Sequence, residues 1–309
     1  MLDRLKHSPL LRPVRTLRRL WLGERPILID YPPRPLARYG YSVPAHGILL
    51  DRFQRGRDEY RALLTAFLHH SERLGSIPLR PPENGSEPGW VNGYLPGLDA
   101  AALYGLIALR APGRYVEIGS GNSTKFARRA VLDHGLTTEI ISIDPHPRAS
   151  VSALADRRIE RPLEQVPVEE FDALLAPGDF LFFDGSHRCF MNSDVTVFFL
   201  EILPRLRPGV WVQIHDVTLP WDYPPAWSGR HYSEQYVLAA YLLGGGGGSR
   251  VALPNAFVSR DPELSKILDP IWDRPELETV ERGGSSLWLE TGLAPGISPA
   301  PAISPDTSR

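Results

Sequence analysis

The chain has 309 residues, more than one small domain requires, and 42% of them are hydrophobic, enough for a sizeable buried core. With 34 basic and 36 acidic residues the formal net charge is -2, so bulk electrostatics point neither to nucleic acid nor to an acidic substrate, and electrostatic function has to be local. The single cysteine, Cys189, excludes an internal disulfide and fits a reducing compartment, with the cytoplasm as the default.

Along the N-terminus Arg12, Arg15, Arg18 and Arg19 interrupt every apolar run, which argues against a secretory leader and for a mature start at this point. No apolar run approaches the roughly 18 to 20 residues needed to cross a bilayer, so no membrane span is expected. Residues 13–22 suit a short helix with Pro13 in its first turn and Val14, Leu17 and Trp21 on one face. Prolines and tyrosines make 26–44 extended and irregular, and a helical pattern follows over 58–74. Residues 77–99 are rich in proline and glycine and form a long loop, and Trp90 and Tyr94 suit it to be a lid.

Beyond Asp99 the pattern becomes regular. Helices are expected at 100–109, 123–133, 168–175, 192–203 and 232–243, and strands at 114–118, 138–143, near Arg158, at 180–183 and at 209–215. Such alternation builds a parallel sheet. A strand at 251–258 is weakened by Pro254, and a last strand lies at 285–290. Gly244 to Gly248 read as a flexible connection, and the Pro/Ser/Ala composition from Gly292 as a disordered tail. The chain therefore divides into an arm, helix and lid-like loop over 1–94, a catalytic domain over 95–291, and a tail over 292–309.

Within that domain, Tyr115-Val116-Glu117-Ile118-Gly119-Ser120-Gly121-Asn122-Ser123-Thr124 sets a glycine turn between a strand and a helix. Glycine lets backbone approach a ligand closely, Glu117 can accept hydrogen bonds at the strand end, and Ser123 can cap the helix. The next strand ends in Asp144, about 23 positions after Gly121, the separation expected of a carboxylate that grips ribose hydroxyls. Gly119, Ser120, Gly121, Asn122, Ser123, Glu117 and Asp144 are thus the nucleotide-binding candidates.

Two further strands end in polar residues. Phe180-Leu181-Phe182-Phe183 delivers Asp184 and, three positions on, His187; Val210-Trp211-Val212-Gln213-Ile214 delivers His215 and Asp216. Adjacent strand ends would gather all four side chains at one edge of the sheet. Two chemistries are open there. Asp184 and Asp216 could hold a divalent cation such as Mg2+, which would lower the pKa of a substrate hydroxyl. A neutral His187 could instead remove the hydroxyl proton unaided, and it is the preferred general base. Arg188 and Asn192 suit substrate positioning, and the aromatic run from Trp221 to Trp227, with His231, Tyr232, Glu234 and Gln235, suits a pocket wall.

VEIGSGNST and the D-G-x-H of residues 184–187 resemble the class I S-adenosylmethionine-dependent methyltransferases, and within them the group that acts on small molecules. The resemblance covers about residues 95–290. Ser123 stands where the family's loop usually has its third glycine. The resemblance implies a Rossmann-like three-layer α/β sandwich, with a mostly parallel seven-stranded sheet whose last strand is antiparallel. It implies S-adenosylmethionine as cofactor over the carboxyl ends of the strands, with Asp144 as ribose acid, Asp184 among the cofactor contacts and Glu164 near an adenine-side acidic position. His187, Asp184, His215 and Asp216 would be catalytic. The metal-dependent relatives use an Asp184-like ligand, but His215 before Asp216 and Val217 after it leave their usual ligand set incomplete. The activity expected is methyl transfer to a hydroxyl of a small-molecule acceptor, with homo-oligomerisation left open. An NAD-dependent oxidoreductase is the nearest rival, because NAD uses the same turn and acid. A catalytically silent nucleotide-binding protein is the other.

Overall fold

In the computed structural model the described residues are 34–81 and 85–292, with Trp21, Asp30 and Tyr31. The basic helix expected at 13–22, Trp21 apart, and the tail expected beyond Gly292 lie outside them.

From Ala37 onward the chain forms one compact unit. It opens with helices α1 (Gly47–Arg55), α2 (Arg57–Phe67) and α3 (Ser71–Gly75). Leu49, Phe53, Tyr60, Leu64 and Phe67 recur at three- and four-residue spacing and are buried. The pattern over 58–74 thus breaks into two helices joined by a tight turn, and α1 is an additional element. Helix α4 (Gly97–Arg110) is buried on all sides along most of its length and packs on α2.

The alternating part follows as β1 (Arg114–Ile118), α5 (Asn122–Asp133), β2 (Glu139–Ile143), α6 (Ala149–Ser152), β3 (Arg157–Ile159), α7 (Glu170–Leu174), β4 (Phe180–Phe183), α8 (Asp194–Val197) and β5 (Trp211–Ile214). After β5 come α9 (Glu234–Leu243), β6 (Arg250–Pro254), α10 (Asn255–Arg260), α11 (Asp269–Trp272) and β7 (Leu287–Glu290). The seven strands lie in the order β3-β2-β1-β4-β5-β7-β6. The first five are parallel, and β7 runs antiparallel to both β5 and β6. The sheet is the mostly parallel, Rossmann-like α/β sheet that the motifs imply. β4 and β5 are buried at every position, as strands covered on both faces must be.

Three local expectations change. The strand expected over 251–258 stops at Pro254, where proline ends the ladder and α10 begins. The glycine run is a turn in which Gly245, Gly246, Gly247 and Gly248 all take positive φ, and Arg52 fastens it by donating to the carbonyls of Leu242 and Ser249. Trp90 is no rim of a lid: it is buried against Phe126 and Trp272, with ring centroids at 5.3 and 5.0 Å. Among the described residues no helix is long and apolar enough to cross a membrane.

Candidate active site at the carboxyl ends of the strands

Register decides what meets at the sheet edge. Ile118 pairs with Ile143 on one side and Phe183 on the other, and Phe183 pairs with Ile214. The residues one step further, Gly119, Asp144, Asp184 and His215, therefore leave their strands at one level. Strand order reverses between β1 and β4, and the gap that opens there is where sheets of this kind take their ligands.

The turn after β1 is set by close approach. Gly119 has φ of 81°, and a Cβ on it would run into the carbonyl oxygen of Asp184. A side chain is barred twice, by conformation and by space. At Gly121 a Cβ would meet nothing within 4 Å, so space stays open beside the half-buried backbone. Asp144 reaches into this turn: its Oδ2 accepts from Ser120 N at 2.9 Å and Ser120 Oγ at 2.6 Å, while Oδ1 accepts from His146 N at 2.8 Å. The two loops thus face one space, and Oδ1 retains acceptor capacity. Asn122 donates to Asn92 Oδ1 at 3.2 Å, which brings the 89–95 loop to the same turn.

Two of the nucleotide-binding candidates turn inward instead. Glu117 is fully buried and accepts from Tyr115 OH at 3.2 Å, Ser123 Oγ at 3.0 Å and the Thr124 hydroxyl. Burial pushes its pKa up to about 8 against the three hydroxyl bonds. Ser123 spends its hydroxyl on Glu117, so neither residue is free for a ligand. The cap of α5 comes from Thr124, whose hydroxyl accepts from Gly121 N at 3.1 Å, rather than from Ser123. Glu164 is exposed in the turn after β3.

At the ends of β4 and β5 the four expected side chains do converge. His187 Nε2 lies 3.3 Å from Asp184 Oδ1 and 3.6 Å from Asp216 Oδ2, while Nδ1 donates to Glu234 Oε2 at 2.9 Å. His215 Nδ1 lies 3.7 Å from Asp184 and 3.5 Å from Asp216, and its Nε2 lies 3.8 Å from Asp99. Asp184 is the open member of the group, its side chain 41% exposed against 15% for Asp216. His187 and Asp216 both hold left-handed backbone, at φ of 60° and 51°, a conformation that costs free energy outside glycine and recurs at functional sites.

This geometry changes the reading of His187. Burial opposes a charged ring, but the bonds to Asp184 and Glu234 and the charge of both carboxylates outweigh it and hold the His187 pKa well up. The same contest, with Asp184, Asp216 and Asp99 as the carboxylates, raises His215. The His187 ring is thus braced between acids, with Nδ1 bonded to Glu234 and Nε2 facing Asp184 and Asp216. The acid groups divide accordingly: burial raises Asp216 and Glu234, whereas at Asp184 the two histidines outweigh burial and lower the pKa.

Nor do the residues fit a divalent cation. The position between Asp184 and Asp216 is taken by the His187 ring, and among the described residues no group of three or more His, Cys, Asp or Glu is arranged to hold a metal.

Beyond His187 the rim is aromatic and basic. The Tyr232 ring lies 4.5 Å from that of His187, Arg188 stands over Tyr232 at 5.3 Å, and Arg230 stands over Trp227 at 4.3 Å. Arg188 is also held by the carbonyls of Ser186 and Arg230, and Asn192 is exposed with φ of 55°. Asp222 faces inward and accepts from Arg38 N at 2.5 Å and Tyr39 N at 2.8 Å. Sequence reasoning missed Asp99 and the burial of Glu234. Asp99 sits in the first turn of α4, where an acid is read as complementing the helix dipole, and Glu234 likewise lies in the first turn of α9.

Residues 116–217 match the family model described as a methyltransferase domain. No curated protein sequence matches the chain. Among solved structures, SAH-bound methyltransferase PaMTH1 of Podospora anserina is 17% identical, with 67% of this chain and 90% of that one covered at a TM-score of 0.34. A Klebsiella pneumoniae protein, itself assigned only provisionally as an O-methyltransferase, is 15% identical, with 75% and 90% covered at 0.33. Cofactor-bound Rv0187 from MTB is 14% identical, with 75% and 90% covered at 0.31. The match over 116–217 runs from within β1 to just past the end of β5, the stretch that carries both the glycine turn and the ends of β4 and β5, and over that stretch the chain is similar to a methyltransferase domain.

Proposed function

We propose that the chain transfers a methyl group from S-adenosylmethionine to a hydroxyl of a small-molecule acceptor. The observation that carries this reading is the register that delivers Gly119, Asp144, Asp184 and His215 at one level, with Ser120 bonded to Asp144 and Gly119 against the backbone of Asp184. Residues 95–291 carry the chemistry in this reading, and a cytoplasmic site of action fits the free Cys189.

Support for the adenosyl end comes from the open side of Gly121 and from the Asp144 carboxylate, whose remaining acceptor capacity suits a ribose diol. S-adenosylmethionine, when bound, would supply an electrophilic methyl on a sulfonium, with neutral S-adenosylhomocysteine as the leaving group once the sulfur–methyl bond breaks. The protein's own part is orientation and proton removal. Asp184, the accessible carboxylate, accepts the hydroxyl proton as the acceptor oxygen takes the methyl. His187, donating towards Asp184 and Asp216, keeps the two carboxylates from repelling each other and points Asp184 at the acceptor. Tyr232 and Trp227 wall the acceptor side.

Asp184→Asn keeps the shape and removes the proton acceptor. Its transfer of labelled methyl to a panel of phenols, sugars and hydroxylated natural products should fall by about 100-fold or more, with S-adenosylhomocysteine affinity within about twofold of wild type. Undiminished transfer by the variant removes Asp184 from this role, and a product methylated on nitrogen or carbon overturns the hydroxyl assignment.

A further inference from the structure

The first turn of α9 does more than start a helix. Ser233 N and Glu234 N both donate to the carbonyl of His187, at 2.8 and 3.3 Å, and Glu234 Oε2 takes the Nδ1 proton of the same residue at 2.9 Å. Gln235 Oε1 accepts from Thr218 N and Oγ1 at 2.9 and 3.0 Å, and Gln235 N donates to Tyr223 OH at 3.1 Å. Three consecutive residues thus fix the loop after β4, the loop after β5 and the aromatic rim. His187 is held by backbone and ring together in a left-handed conformation it would not choose by itself.

Glu234 is costly where it stands. Its side chain is 1% exposed, and Oε1 has no hydrogen-bond partner. A carboxylate kept for stability alone would have both oxygens satisfied, and a buried ion pair is weak as a stabilising device. Its one bond goes to a ring whose other nitrogen faces the open carboxylate Asp184.

We propose that Glu234 is the positioning residue of the site: by engaging Nδ1 it sets the rotamer of His187, so that the Nε2 proton points between Asp184 and Asp216 and aims Asp184 at the acceptor. This rests on the reading of Asp184 as proton acceptor, and it assigns α9 to a cluster otherwise made by the ends of β4 and β5 and by Asp99 of α4. The groups facing His187 are Asp184 from the end of β4, His215 and Asp216 from the end of β5, and Glu234 and the Tyr232 ring from the segment that leads into α9.

The test uses the full chain, without ligand, labelled with nitrogen-15 in the histidine rings. Wild type should show a His187 Nδ1 proton shielded from solvent exchange. Glu234→Gln, which keeps the shape and loses the charge, should lower the proton affinity of His187 by about tenfold or more, and Glu234→Ala should abolish the shielded signal. Thermal melting of Glu234→Gln should stay at or above that of wild type. An unchanged His187 resonance in Glu234→Gln, or a fall in melting temperature with the ring signals intact, would show a merely structural residue and overturn the proposal. Calorimetry of the wild type with S-adenosylhomocysteine runs alongside: if that ligand fails to bind while the ring signals respond as expected, the methyl-transfer reading fails and the positioning of His187 by Glu234 stands.

Discussion

The carbonyl of Asp184 lies where a side chain on residue 119 would have to be, so the glycine turn and the acid cluster are fixed to each other through backbone. Gly119→Ala should therefore destabilise the fold by about 1–3 kcal/mol, from the strained φ and the displaced carbonyl, and should weaken S-adenosylhomocysteine binding beyond that loss. Urea unfolding beside calorimetry separates the two effects. Glu117 makes a prediction in pH. Its carboxyl ordinarily titrates near 4.5 and is raised to about 8 in the fold, so between those values the folded chain binds the extra proton. Its contribution to stability is complete below about 4.5 and is lost as pH rises towards 8. Glu117→Gln should flatten that decline, measured as the urea midpoint at pH 5 and pH 8, and a decline as steep as that of wild type would contradict the burial of Glu117. That the turn after β1 and Asp144 after β2 lie together is legible in sequence, because a fixed spacing between two strand ends carries it, whereas the bond of Ser120 to Asp144 is not. The inward turn of Glu117 is not, since a carboxylate late in a strand reads alike whichever way it faces. The Nδ1 of His187 is bonded to Glu234, 47 positions on, and short-range spacing has no access to such a partner.

Elements were legible where periodicity was long. β1 and β4 have the bounds the pattern assigns, and α5 and β2 differ by one residue at one end. The misreadings arose where a tertiary partner decides. Proline at 254 could sit in an edge strand or end one, and only the pairing with Leu287 on β7 shows that the ladder closes there. Trp90 lies in a loop by composition but fills the space between Phe126 and Trp272. The segment around residues 37–46 reads as irregular, and tertiary bonds supply its order: Asp222 accepts from Arg38 N, Tyr39 N and Tyr236 OH, and His46 N donates to the carbonyl of Pro220. Asp222→Ala leaves two amides without their acceptor, which should cost about 1–3 kcal/mol and open residues 37–46 to protease well before the sheet unfolds. Cleavage confined to other segments would show that this tether is not what orders them.

For the whole molecule, the sheet order does the joining. β1 and β4 are neighbours in the sheet but are separated in the chain by β2 and β3, and the two loops that leave them in register bring the glycine turn beside the carboxylates of the β4 and β5 ends. The α/β class, the seven strands and their carboxyl edge follow from alternation and resemblance, while the assembly of Asp99, His187, His215 and Glu234 follows only from the packing of α4 and α9 on that edge. The most direct test of the account is calorimetry of the purified chain with S-adenosylhomocysteine and with NADH, repeated on Asp144→Ala. S-adenosylhomocysteine should bind and NADH should not, and Asp144→Ala should weaken the adenosyl ligand by about tenfold to a hundredfold, as loss of a charged hydrogen-bond acceptor predicts. Preference for NADH, or an Asp144→Ala affinity equal to that of wild type, would contradict it.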